Sequence, residues 1–277
     1  MTTPCDPYPK RIVCLTEETT ETLYLLGEQD RIVGISGYTV RPAIARKEKP
    51  KVAAFSTARI ERILAVDPDL VVGFSDLQAD IAAQLIRAGI DVRIFNQRSV
   101  EQILNVTVQL GAMVGATTQA QALRAHLLSD IATARATAAR FNSRPRVYFE
   151  EWNDPLISGI QWVAELIEIA GGEDCFPELS HQAMATKRII ADPLEVVARQ
   201  PDIIIGSWCG KRFRPAQLKS RPRWDEIPAV QNGDMYEIKS CDILQPGPAA
   251  LGDGLRQLST IICNWQNVHA GDARIGS

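Results

Sequence analysis

Residues Arg62–Phe74 read RILAVDPDLVVGF, and residues Glu195–Ser207 read EVVARQPDIIIGS. Aligned without gaps, Ala65, Pro68, Asp69 and Gly73 fall on Ala198, Pro201, Asp202 and Gly206. The apolar positions coincide as well: Ile63/Val196, Leu64/Val197, Leu70/Ile203, Val71/Ile204 and Val72/Ile205. Each copy ends an amphipathic helix, turns at Pro-Asp and enters a β-branched run closed by glycine, a pattern that predicts helix, turn and buried parallel strand. RIVCLTE from Arg11 and RVYFEEW from Arg146 form a second matched pair, each opening its half with a strand. The expected fold is therefore α/β: two doubly wound parallel-sheet lobes with a ligand cleft between them.

Outward from these blocks, the first half reads as strand RIVCL, a helix over about 19–26, strand RIVGIS, and a loop holding Tyr38, Arg41 and Pro42. A helix over about 58–66 leads to LVVGF, and a helix over 79–88, stopped by Gly89, leads to VRIF. The stretch from Thr117 to Phe141 has neither Gly nor Pro and is rich in Ala, Leu, Gln and Arg. It predicts one long helix joining the lobes. The expected division is an N-terminal lobe over 1–115, a connecting helix over 116–143 and a C-terminal lobe over 144–277. The second half adds a helix over about 161–170 ending at Gly171-Gly172, one over 191–199, the strands IIIGSW and MYEI, and a last helix over about 248–265. The tail from His269 reads as frayed.

Hydrophobic residues make up 45% of the 277 and charged residues 23%, which places the chain among ordinary globular proteins, long enough for two domains. A net charge of −3 gives no reason to expect nucleic acid as a partner. No apolar run reaches membrane-spanning length. The opening MTTPCDPYPK lacks the apolar core of a secretory leader. It reads either as a chain whose export information has been removed or as one that stays in the cytosol. The six cysteines show no CxxC spacing, so neither a disulfide framework nor a zinc site is expected. Cys14 reads as a buried thiol, and pairing of Cys175 with Cys263 or Cys241 is left open. His126, His181 and His269 stand on separate elements and predict no metal centre.

In a doubly wound sheet the ligand meets the loops at the carboxyl ends of the strands. There the sequence offers Glu17 with Thr16 and Glu18, then Tyr38 and Arg41, then Phe74, Ser75 and Asp76. The second half offers Glu150, Glu151, Trp152 and Asn153, then Trp208, Lys211 and Arg212, then Ser240, Asp242 and Gln245. The ligand contacts expected are Glu17, Tyr38, Arg41, Phe74, Ser75, Glu151, Trp152, Trp208, Lys211 and Asp242. The mixture suits recognition of a medium-sized polar ligand better than one catalytic step. Glu150 and Glu151 could form an acid–base pair, but neighbours on a strand face opposite sides, so one of them is expected to be structural. Trp152 and Trp208 offer flat faces for stacking or, equally, for packing. Lys211-Arg212-Phe213-Arg214 reads first as a solvated charged loop and second as an anion site. No nucleophile has a histidine partner at a recognisable spacing, so no catalytic residue is predicted.

Taken together, RIVCLTEETTETLYLLG, RIERILAVDPDLVVGF, AGIDVRIF, ELIEIAGGEDCF, VVARQPDIIIGS and PAVQNGDMYEI resemble the substrate-binding proteins of ABC importers. The class is the one with two α/β lobes joined by a long helix, serving vitamin B12, haem and ferric siderophores. The likeness runs from about Arg11 to Trp265 and is strongest toward cobalamin-binding members. It implies capture of a corrinoid or related metal chelate, no cofactor, a monomer, an ABC permease dimer as partner and a place outside the cytoplasm. It also implies a permease-docking glutamate on each lobe. Glu61, seven residues before Pro68, holds that position in the first; in the second, Leu194 does, with Glu195 one place later. A second reading keeps the frame but makes it a cytosolic enzyme or sensor using Glu150, Glu151 or Asp76.

Overall fold

A computed structural model describes residues 7–269, which form two compact units. One holds the chain as far as Gln97 together with Glu101–Leu127; the other holds Arg98–Val100 and the chain from Leu128 onward. Cys5 and the expected tail beyond His269 lie outside the described residues.

The first unit is built on β1 (Ile12–Cys14), β2 (Ile32–Ser36), β3 (Lys51–Ala53), β4 (Leu70–Phe74) and β5 (Asp91–Phe95). All pairings are parallel, in the order β3-β2-β1-β4-β5. Successive side chains of a strand point to opposite faces, and both faces here are dry. Ile12 and Cys14 pack with Leu23, Phe95 and Leu110 on one side, while Val13 and Leu15 pack with Ile63, Ile81 and Leu85 on the other. Cys14 is a buried thiol, and burial pushes its pKa up to about 12.

The second unit is built on β6 (Arg146–Asn153), β7 (Leu156–Ser158), β8 (Glu173–Asp174), β9 (Ile203–Gly206) and β10 (Met235–Glu237). Here the path is β10-β9-β6-β7, with β8 also on β6. β6 runs parallel to β8 and β9, but β7 is antiparallel to it. The expected parallel sheet carries one antiparallel edge strand: Asp154-Pro155 joins β6 to β7, and so short a turn connects only antiparallel neighbours. Cys175, Cys241 and Cys263 are all thiols, so neither cystine left open in the sequence is formed.

The two copies of the repeat are the same device. Asp67 and Gln200, each just before the proline, take left-handed backbone with φ of 46° and 47°. The following aspartates hold the start of the first strand of their own unit. Asp69 accepts the amides of Lys10 at 2.7 Å and Arg11 at 3.0 Å, and Asp202 accepts the amide of Arg146 at 2.8 Å. This clasp sets β4 beside β1 and β9 beside β6.

The long helix spans Thr117–Ala138, 22 residues, or about 33 Å at 1.5 Å each. It stops short of the expected Phe141 because the chain tightens there, Arg140 N–H bonding Thr137 O at 3.1 Å. The boundary between the units falls inside this helix, at Leu127/Leu128. Its first half supplies Ala120 to the first core, and its second half buries Ile131 and Ala134 in the second unit. A helix over Val100–Met113 precedes it, with no counterpart in the sequence expectations.

Candidate functional site

In the first unit the topological switch point lies between β1 and β4, where connections leave to opposite sides of the sheet. A fully buried Gln78 closes it. Its side-chain amide donates to Phe55 O at 2.9 Å and accepts from Phe74 N–H at 3.0 Å. A β-carbon on Gly73 would stand 2.1 Å from Gln78 Oε1, so glycine is required at the end of β4. Phe74 and Ser75, expected to meet ligand, are buried here, and Ser75 Oγ accepts Leu77 N–H at 3.2 Å.

The helix Glu17–Leu25 begins at the end of β1 with Glu17, Glu18 and Glu21 all buried. Burial pushes Glu17 up to about 8, helped by the Glu21 carboxylate and opposed by amides of Val40 and Arg41. Burial likewise pushes Glu18 up to about 7 against its bond from Thr16. Arg41 Nε sits 2.8 Å from Glu21 Oε1. The loop after β2 is thus tied to this helix through Glu17 and Glu21. Glu17, expected to meet ligand, is buried, while Tyr38, 69% exposed, stands out from that loop.

In the second unit the switch point lies between β6 and β9. Glu150 is fully buried and accepts four hydrogen bonds. Arg221 grips it at two points, Nη1–Oε2 2.6 Å and Nη2–Oε1 3.0 Å, while Trp208 Nε1 and Tyr148 OH bond at 2.9 and 3.0 Å. Glu151, on the other face, is held by the buried Arg188, with Nη1–Oε2 at 2.6 Å and Nη2–Oε1 at 3.2 Å. The expectation that one glutamate is structural was too weak: both are locked by arginine forks. Trp208 is also buried, edge-on to Phe213 with ring centres 5.1 Å apart.

Above this buried network a cavity of about 390 Å³ is lined by Asn153, Trp208, Lys211, Arg212, Arg214 and Gln217. Lys211 Nζ lies 3.8 Å over the ring of Trp152, whose Nε1 donates to Asp154 O at 2.8 Å. Phe213 fills the space over Gly206 as Gln78 does over Gly73: a β-carbon there would lie 2.0 Å from its ring. Asp242, in the short helix Ser240–Ile243, accepts from Gln257 Nε2 at 3.2 Å. Asp76, proposed from sequence as a reactive group, is exposed on the first unit. No cluster of metal-ligating side chains occurs among the described residues. None of their helices is long and apolar enough to cross a membrane.

A family model described as "periplasmic binding protein" matches residues 12–241, most of both units. The chain belongs to the periplasmic binding protein family. A cobalamin-binding protein of Halobacterium salinarum is 25% identical over 258 residues, 88% of this chain and 67% of its own length. A vitamin B12-binding protein of Vibrio parahaemolyticus is 25% identical over 248 residues, 87% of this chain and 86% of its own. Among solved structures, the periplasmic vitamin B12 binding protein BtuF of Vibrio cholerae aligns with a TM-score of 0.76 at 22% identity, covering 93% of this chain and 98% of that one. The periplasmic haem-binding protein RhuT of Roseiflexus aligns at 0.77 and 22%, covering 91% and 99%. These likenesses show the fold.

As a periplasmic binding protein, the chain carries Glu61 and Glu195 at comparable places. Each is the second residue of the helix before its Pro-Asp turn, Ile60–Leu64 and Leu194–Arg199. Counted from the helix start they match, although the ungapped repeat sets Glu61 against Leu194. Both are exposed, and Glu195 lies 3.9 Å from Arg199.

Proposed function

We propose that this periplasmic binding protein is the ligand-capturing component of an ABC importer, and that its ligand is a corrinoid or a related metal chelate. One observation carries the choice of binding over catalysis. Glu150 and Glu151, the carboxylates best placed for acid–base work, are each immobilised by a two-point arginine pair. Both are held in place with their oxygens engaged by guanidinium groups. What stays open at the strand ends is aromatic and polar recognition surface: Tyr38 on the first unit, Trp152 and Lys211 on the second. The B12-binding relatives, similar over nearly nine-tenths of the chain, support a corrinoid. In this reading Glu61 and Glu195 face a permease, and the protein works outside the cytoplasm.

Calorimetric titration with cyanocobalamin and with haemin tests the proposal. It expects one-to-one binding of cyanocobalamin, weakened at least about tenfold by Trp152→Ala, the size of a lost aromatic contact. Saturable binding of haemin alone transfers the role to another chelate. Binding of neither contradicts the proposal.

A further inference from the structure

We propose that the cavity beside Lys211, Arg212 and Arg214 is an anion-binding subsite that takes a phosphate or carboxylate group carried by the ligand. From Lys211 to Arg223 the chain holds six cationic residues and no acidic one. Two of the six are neutralised: Arg221 by Glu150 and Arg223 by Glu226, the latter at 2.7 Å. Lys211 lies over Trp152. Arg212 and Arg214 face no carboxylate within ion-pair distance among the described residues, yet both line the same cavity. Asn153 and Gln217 add side-chain amides, and no acid lines the space.

A solvated charged loop would not be held this way. The segment is pinned on both sides of its cations. Trp208 is fixed through Nε1 to Glu150, and Lys211 N–H bonds Trp208 O at 3.2 Å. Phe213 is buried over Gly206, and its amide bonds Glu237 Oε1 at 3.0 Å. Even with the Glu237 carboxylate on the amide of Phe213, the segment's positive groups are in excess; they repel one another, and an anion relieves that repulsion. Guanidinium forks match phosphate and carboxylate oxygens in geometry as well as charge. At about 390 Å³ the cavity takes the charged substituent of a larger molecule and not the whole of it. The inference rests on the proposed function only for the molecule that carries the anion.

The test compares the full-length chain with Arg212→Ala/Arg214→Ala against three ligands: cyanocobalamin, with one phosphodiester, haemin, with two carboxylates, and dicyanocobinamide, which lacks both. The double variant should bind cyanocobalamin or haemin at least about tenfold more weakly, equivalent to about 1.4 kcal/mol, with dicyanocobinamide within twofold. Whichever ligand loses affinity identifies the anion. An equal loss for all three, or no loss, overturns the inference and leaves the proposed function standing. If the parent chain binds none of the three, the proposed function fails and inorganic phosphate decides the inference. Phosphate that raises the melting temperature of the parent but not of the double variant supports the subsite; an equal effect on both overturns it.

Discussion

Glu150 and Arg221, 71 residues apart, form a two-point ion pair with a fully buried carboxylate, Oε2 lying 2.6 Å from Nη1 and Oε1 3.0 Å from Nη2. Buried pairs of this kind gain little over a well-packed apolar pair, but removing one partner strands the other's charge. Arg221→Ala should therefore cost about 3–5 kcal/mol in urea unfolding followed by the fluorescence of the second unit. Glu150→Leu/Arg221→Met should cost less than either single change. If the double variant is as unstable as the singles combined, the pair is not coupled as its geometry requires.

Glu17 and Glu18 give the first unit a pH dependence whose direction follows from their environment. Burial raises them to about 8 and about 7 from an ordinary 4.5. The folded state then holds these protons more tightly than the unfolded chain. Their contribution to stability is complete below about pH 4.5 and is lost as pH rises through 7 and 8. The melting temperature should fall across that window, and Glu17→Gln/Glu18→Gln should flatten the fall. A double variant with the parent's full pH dependence would place the titration elsewhere, with Asp174, also raised by burial, next in line.

Local signals made the frame legible in the sequence. The pairing of β4 with β1 and of β9 with β6 was legible because the Pro-Asp turns and the opening strands each lie within short, patterned blocks. The helix Val100–Met113 escaped because its Val and Thr content blurs a helical period, and β3, only Lys51–Ala53, is too short to show one. The site was less legible for a different reason. Trp208 reads equally for stacking or packing and Glu17 as a ligand contact; their burial depends on groups far along the chain or on another loop. Arg188 reaches Glu151 across 37 residues, and no local pattern marks such a partner. Gln78 and Phe213 left a faint trace, since each explains a glycine that the repeat had already matched.

Glu61 separates a docking role from a structural one. It is exposed, on a five-residue helix, and charges so placed contribute little to stability. Glu61→Arg should leave the melting temperature and ligand affinity unchanged while abolishing delivery by the matching permease, because reversal turns attraction into repulsion. A lowered melting temperature would make Glu61 structural, and normal delivery would make it an ordinary surface charge.

Whether the chain holds its ligand without changing it is tested most directly by native mass spectrometry of the full chain with cyanocobalamin and with haemin. The expected result is a one-to-one complex with one of the two, from which the ligand is released at its original mass after prolonged incubation. A chain that binds neither, or that releases a ligand of altered mass, would contradict capture without chemistry.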